Sequence, residues 1–440
     1  MMRRMAAVGL ALLLATASAA QEERAIDHFG GVGGRAMGMG GAFVGVADDF
    51  TALWWNPAGL AQIQHRELHA ALLRTGHETR SNLSGMRSAA DLVRSRFASL
   101  GVVTPYPVYR GSLVFAAGIV RLKDFDWTLR EQGIDQDLTA DNRFSHEGQL
   151  TLAALAGAFD VSPSLALGVT VGLTGGHDDH TNEYVWADTK DLFTERRWVA
   201  RDTYADKYES APYASLGLMV RSPRDEPRYR LGATLTTGGT QRIAYVFRGA
   251  TSDQGYDRIE YDDGRVVAYA LQTVRASYRL SLPFEFGVGG SLMPVPGLLL
   301  AASVHRSEWE QSRYKNDGGV TDVLRANADF AKQYRNTARY HLGAEWQVPT
   351  VALDLRAGFY TDPLPFVGPR DAAAEADPVS NPVVTRVQDR RFLTLGAGVL
   401  LDEVVQVDLT WNRGTYRQTE GALTESGTVR RLLLGVSYRF

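Results

Sequence analysis

The sequence predicts an all-β protein: a transmembrane antiparallel β-barrel of about fourteen strands, with an N-terminal plug that contains short helices. Three observations predict it. Hydrophobicity beyond residue 65 alternates with a period of two, as in "LALGVTVGLT", where Leu165, Leu167, Val169, Val171 and Leu173 share one face and Ala166, Gly168, Thr170, Gly172 and Thr174 the other. Connections between the alternating stretches switch regularly between short turns and long polar loops, as they do when turns sit at one membrane face and loops at the other. The chain opens with an export signal, yet no later stretch approaches the roughly 20 apolar residues that a membrane helix requires.

Residues 1–20 read as a signal peptide. Arg3 and Arg4 supply the positive start, Ala6 to Ala15 the apolar stretch, and Ala17-Ser18-Ala19-Ala20 the small residues of a cleavage site. Residues 21–65 do not alternate and cannot form wall. Their run of glycines suits a compact segment in a narrow space, and a closed barrel of about fourteen strands has a lumen too wide for its own side chains to fill. This segment is therefore expected to plug it. Within it, Asp48 or Asp49 can cap a short helix carrying Leu53, Trp54 and Trp55. Pro57 stops that helix, and Gly59 permits a sharp exit toward the wall.

Residues 66–440 form the expected barrel. Strands are predicted near 66–75, 96–107, 111–126, 146–160, 164–176, 210–221, 228–247, 266–293, 297–312, 335–347, 351–362, 389–401, 404–418 and 427–440. The long loops fall at 76–95, 127–145, 176–209, 248–265, 312–335, 362–389 and 418–427. The last strand, "LLLGVSYRF", places Leu432, Leu434, Val436, Tyr438 and Phe440 on one face, an aromatic ending suited to the interfacial girdle.

Composition excludes several classes. With no cysteine there is no disulfide framework, thiol catalysis or Cys-ligated metal. A formal net charge of −3 with both signs interspersed gives no basic footprint for nucleic acid. "GVGGRA", residues 31–36, matches a dinucleotide fingerprint in form, but no strand precedes it and no crossover helix follows, so no nucleotide cofactor is expected. "HDDH", His177 to His180, has metal-ligand residue types, yet neighbours in sequence cannot all converge on one ion, and a solvated loop is the expectation. "YDDG", 261–264, lacks a full calcium-loop pattern. His69 and His305 lie on predicted strands with serines nearby, but nothing in the sequence fixes a triad, and no enzyme activity is expected.

Carrying the alternation along the strands places Arg275, Arg279, Glu285, His305, His341, Glu345, Asp354, Arg356 and Asp408 in the lumen. Glu285, Glu345, Asp354, Arg356 and Asp408 fall near the short-turn ends. They could form a charged collar that holds the plug through Arg35, or simply pair with one another. Arg275 or Arg279, higher in the wall, could receive a carboxylate in a bidentate contact. Phe43, Trp54 and Trp55 could line an apolar ligand cavity or pack the plug against the wall.

"GGRAMGMGGAFVGVADDFTALWWNPAGLA" resembles the N-terminal hatch of the long-chain fatty-acid porin family (FadL/TodX-like), with Asn56, Pro57 and Ala58 matching its Asn-Pro-Ala motif. The glycine-rich lead-in is also similar to the related PorV-like barrels, which are secretion shuttles. The resemblance implies an outer-membrane location and a passive path for a hydrophobic small molecule or lipid, such as long-chain fatty acids or hydrocarbons, opened by movement of the hatch. It implies Asn56 as a hinge that holds the plug, against the plainer reading of an Asx turn before proline. Tyr438 and Phe440 resemble the signal read by the barrel-assembly machinery. Secreted proteins are the alternative partners, if the chain is a scaffold of the PorV kind.

Overall fold

The computed structural model describes residues 29–135, 137–223, 228–251, 255–317, 327, 333–367 and 384–440. The expected signal segment, and most of the connections at 312–335 and 362–389, lie outside these residues. Among the described residues no helix is long and apolar enough to cross a membrane; strands do so instead.

One closed antiparallel barrel contains all the strands. It opens with β1 (Glu67–Leu83) and ends with β20 (Leu423–Arg439), which pair along their whole length from Glu67↔Arg439 to Leu83↔Leu423. The sheet contains 20 hydrogen-bonded segments, which make a 14-strand wall, because four wall strands are each broken in two and one short hairpin lies beyond the wall. The breaks separate β3 (Leu113–Asp124) from β4 (Trp127–Asp135), β8 (Tyr229–Thr236) from β9 (Thr240–Ala250), β12 (Leu271–Ser281) from β13 (Glu285–Val295), and β14 (Leu298–Ser307) from β15 (Arg313–Asn316).

Several stretches expected as loops are strand. β1 and β2 (Met86–Tyr106) meet in a tight turn at Ser84 and Gly85, both at positive φ, so the expected loop 76–95 is a hairpin. Likewise β5 (Leu138–Ser162), β6 (Leu165–Ala187) and β7 (Glu195–Arg221) run far past their predicted ends, and β19 (Val405–Glu420) reaches β20 across a short turn. The physical reason is that the outer face of these extensions meets water and not lipid, and such apolar residues as they carry, Phe144 and Trp186 among them, turn into the lumen. The apolar alternation that marks a lipid-facing strand disappears there, while the backbone ladder continues.

Outward side chains form the apolar belt. Leu155, Val171, Leu173, Leu216, Val288, Leu342, Leu393 and Leu409 are all exposed large apolar residues, and bilayer lipid is the solvent such a surface requires. Inward positions are small or polar, because residues 29–65 fill the space behind them. That segment contains α1 (Gly34–Gly38), α2 (Ala52–Trp55) and a 3-10 helix, Pro57–Gln62. Its Phe43, Phe50, Leu53, Trp55 and Leu60 form one buried cluster with wall residues such as Ala116, Val120, Leu152 and Ala154. Each fully buried aromatic or leucine there contributes about 1.5–3 kcal/mol.

Wall glycines let the segment approach this closely. A Cβ on Gly168 would lie 2.3 Å from the Ala58 amide nitrogen, and one on Gly358 2.2 Å from that of Gly40. Two further tiers of side chains lie in the lumen: one around Phe125, Tyr208, Ile243 and Trp309, another around Phe144, Tyr184, Trp186 and Trp198.

Candidate functional site

The Asn-Pro-Ala stretch sits at the heart of the plug. Asn56 is completely buried and ends α2 in an extended conformation, φ −163°. Its Nδ2 donates to the Val44 carbonyl at 2.8 Å and to the Leu218 carbonyl of β7 at 3.2 Å, while its Oδ1 accepts from the Ala58 amide at 3.1 Å. One side chain thus makes the Asx turn and also ties two plug segments to the wall. Pro57 ends α2 and opens the 3-10 helix, where its missing N–H costs nothing. Gly59 is not an exit turn: it lies inside the 3-10 helix, and a Cβ there would lie 2.0 Å from the Ala47 carbonyl oxygen. The expected aspartate cap of α2 is not made: Thr51 is the N-cap and no side chain caps the helix, while Asp49 Oδ1 accepts from the Thr51 amide at 2.8 Å in an Asx turn just before it.

Phe43 and Trp55 are packing residues of the plug. The Trp55 indole N–H donates to the Val32 carbonyl at 2.9 Å, and its rings meet Phe43 and Trp54 edge-on. Trp54 is only half-buried and lies 5.9 Å from Phe29.

Four of the five collar residues come together: the carboxylates of Glu345, Asp354 and Asp408 surround Arg356, and Arg35 of the plug joins them. Arg356, on β17 (Leu353–Asp362), donates to Glu345 at 2.6 Å, Asp408 at 2.5 Å and Asp354 at 3.2 Å. Arg35 of the plug donates through Nε and Nη2 to both oxygens of Glu345, at 2.8 Å each, and also bonds Asp48. Burial opposes the charge on Arg35, but Asp48 and Glu345 hold its guanidinium well above the ordinary range. A cavity of about 370 Å³ lies here, at the short-turn end, lined in part by Arg35, Asp48, Asp49, Glu67, His69 and Asp408. Burial, only partly offset by Arg35, pushes the Asp49 carboxyl up to about 7.

The fifth, Glu285, stands apart from the collar. It accepts from Ser307 at 2.8 Å and lies 3.6 Å from His305 and 3.5 Å from Arg339.

Arg275 and Arg279 do not face the lumen. Both are exposed on the outer face of β12, and Arg279 pairs with Asp317 at 3.0 Å. The break at 282–284 explains the difference. In β12 the even-numbered Leu280 points inward, whereas in β13 it is the odd-numbered Gly287, Gly289 and Ser291. An alternation carried through Pro283 without a break therefore arrives on the wrong face.

The sequence reading missed a ring of wall hydroxyls. Thr170 donates to the Leu53 carbonyl at 2.6 Å, Ser291 to Gly45 at 2.8 Å, Thr394 to Gly38 at 3.0 Å and Thr410 to Gly34 at 2.7 Å. They satisfy carbonyls that a short, irregular segment cannot satisfy alone. Their signal was the polar side of the alternation, on which Thr170 and Thr410 stand.

Above the plug, an aromatic row crosses the wall. Tyr360 stacks on His341, centroids 5.7 Å apart, and on Phe392 at 4.5 Å, with Arg431 over Phe392 at 5.2 Å. Phe29 meets Tyr360 edge-on at 5.7 Å. The next residue, Gly30, donates to the Leu122 carbonyl of β3 at 3.1 Å, immediately before that strand breaks at Phe125 and Asp126. Past the break, β4 pairs with β5, while β2 pairs with β3 only over Ser99–Tyr106. Among the described residues no ladder joins the upper half of β2 to β4 or β5; Arg94–Glu147 and Arg96–Asp126 ion pairs span that side.

His69 is enclosed by Ser437 at 2.9 Å and Ser99 at 3.0 Å, one hydroxyl on each ring nitrogen, so neither nitrogen is held by the carboxylate a nucleophilic triad requires. Tyr438 and Phe440 stack at 5.7 Å on the outer surface. "HDDH" is not a loop: it lies within β6, with Asp178 and His180 directed inward and His177 and Asp179 on the other face.

The sequence profile of the outer membrane protein transport protein family (OMPP1/FadL/TodX) matches residues 11–433. Among curated proteins none matches the sequence. The fold is that of a Pseudomonas aeruginosa FadL homologue, with 15% identity over 94% of this chain and 100% of that one, TM-score 0.61. It is also that of the P. putida toluene transporter TodX, with 15% identity over 94% and 99%, TM-score 0.59. The Ralstonia pickettii toluene transporter TbuX, 14% identical over 94% and 99%, gives a TM-score of 0.54.

Proposed function

Since the chain belongs to the outer membrane protein transport protein family (OMPP1/FadL/TodX), and its place is therefore the outer membrane, we propose that it passes uncharged hydrophobic molecules through its wall, gated by the plug. The observation that carries this reading is the bond between the start of the described plug and β3, just before that strand breaks. A shift of residues 29–30 would act directly on a side of the wall where, among the described residues, no upper ladder joins β2 to β4 or β5. An apolar solute leaving there enters lipid without recrossing water.

The lumen charges support an uncharged ligand. Arg339 and Arg390 both bond Asp362, at 2.9 Å each, and Arg431 bonds the Tyr360 hydroxyl at 3.1 Å. A fatty-acid carboxylate would have to displace such partners, whereas a ring or hydrocarbon needs only the aromatic faces. This favours small hydrocarbons such as the toluene named for two relatives over long-chain fatty acids. No turnover chemistry is part of the proposal.

The test is uptake of labelled toluene and labelled oleate by cells lacking their own hydrophobic-compound channels, with this protein, with Asn56→Ala, or with neither. Toluene uptake restored by the native chain and altered in the variant supports the reading. Oleate uptake alone would reinstate the fatty-acid cargo. A correctly inserted barrel that moves neither, and co-purifies with secreted proteins, would establish the scaffold instead.

A further inference from the structure

We propose that His146, Asp178 and His180 form a binding site for a divalent transition metal of the zinc class, on the lumen side of the extracellular end of the barrel. The register brings them together. His146 of β5 stands directly opposite His180 of β6, and Asp178 stands opposite Gly148, on the same inward face. Glycine at that partner position puts no side chain beside the carboxylate. One ligand atom from each residue lies within 4.8 Å of the other two, and His146 Nδ1 is already 3.1 Å from Asp178 Oδ2.

The donor set selects the metal. Two imidazoles and a carboxylate suit zinc, copper or nickel, whereas calcium and magnesium seek all-oxygen shells. Tetrahedral coordination at about 2.0–2.1 Å leaves a fourth position for water. The surroundings restrict the ligands. Asp178 is 1% exposed, the Trp127 ring lies 5.6 Å from His146, and Tyr204 stacks on His180 at 4.2 Å. The imidazoles of His146 and His180 stack at 4.6 Å with 20° between their planes, so one must rotate before both nitrogens address a single ion. That rotation costs little for an imidazole, whose terminal torsion is broad.

Position along the strand fixes the side from which the ion arrives. Leu173 is the last exposed large apolar residue on β6, so Asp178 and His180 lie beyond the lipid belt, toward the long connections. A metal held there would cross-link β5 to β6 opposite Trp127, the first residue of β4 after the wall break.

The full-length protein in detergent, stripped with chelator and titrated with zinc chloride, tests the site. One zinc per chain is expected, bound at micromolar or tighter concentration, with His146→Ala and His180→Ala each weakening it at least roughly tenfold. His177→Ala, on the opposite face of β6, leaves binding unchanged. X-ray absorption of the zinc-loaded native protein is expected to show two imidazoles in the shell, a readout that requires no variant to fold. No zinc binding, binding that survives loss of His146 and His180, or a shell without imidazole overturns the proposal.

Discussion

Asn56→Ala separates the plug from the wall without touching a wall residue. The native side chain makes three hydrogen bonds at 2.8, 3.2 and 3.1 Å from a position with no solvent exposure. At about 1 kcal/mol net for each, with further cost wherever a buried carbonyl is left unmet, the docked plug should lose about 3–5 kcal/mol. The barrel should lose almost nothing, because its strands close their own hydrogen bonds. Hydrogen exchange followed by mass spectrometry reads both: amides of residues 43–62 should exchange roughly a hundredfold faster or more, while those of 423–439 stay protected. Asn56→Asp sharpens the test. It keeps the acceptor for Ala58 but turns the donor toward Val44 and Leu218 into a second acceptor against two carbonyls. If the residue served only the Asx turn, Asp would be silent. The reasoning predicts Asp to be at least as damaging as Ala, and a silent Asp variant, or loss of protection in both regions together, would refute it.

The collar gives an ordering. Arg356→Gln leaves Glu345, Asp354 and Asp408 clustered without their shared cation and should cost about 3–5 kcal/mol in denaturant unfolding. Arg35→Gln leaves Glu345 still held by Arg356 and should cost less; the reverse order would contradict the hub role of Arg356. Gly358→Ala would place a Cβ 2.2 Å from the Gly40 nitrogen, so it should free the plug to proteolysis while the barrel still inserts. Plug docking should also depend on pH through Asp49. Its carboxyl titrates near 7 when docked, against 3.8 ordinarily, so its protonated form favours docking and that contribution is fully present below about pH 4. It is lost as pH rises through about 7. Exchange of residues 43–62 at pH 4.5 against pH 7.5 measures it, and Asp49→Asn should flatten the difference.

How much of this is legible in the sequence depends on what lies on each side of a strand. Where lipid faces one side and the plug the other, as along Leu165–Thr174, the alternation is sharp and the strand is read correctly. Where both sides are polar, as in the upper halves of β1 and β2, the pattern fades and strand is mistaken for loop. Parity is legible only between breaks: Pro283 resets it, and Arg275 and Arg279 move from the expected lumen to the outer face. "HDDH" shows the same limit across strands. The sequence correctly keeps its four residues from meeting at one point, but it carries no sign that His146, far upstream, stands opposite His180.

The plug and the wall are held by different kinds of bond, and this difference is what a gate requires. Wall strands bond backbone to backbone along ladders that lipid cannot replace, so breaking one costs an unmet polar group in hydrocarbon. The plug is tied instead mainly by single buried side chains, Thr170, Ser291, Thr394, Thr410 and Asn56, with a backbone bond from Gly30 to Leu122 beside them. Once the plug has left, water can meet the carbonyls it exposes, as lipid cannot for a broken ladder. Displacing the plug therefore gives up buried apolar contacts and these side-chain bonds, while the barrel around it keeps its own ladders. The glycines that line the wall, by bringing the two backbones into contact, make that docking close with an isolated bridge, Phe29 to Lys123, in place of a continuous ladder.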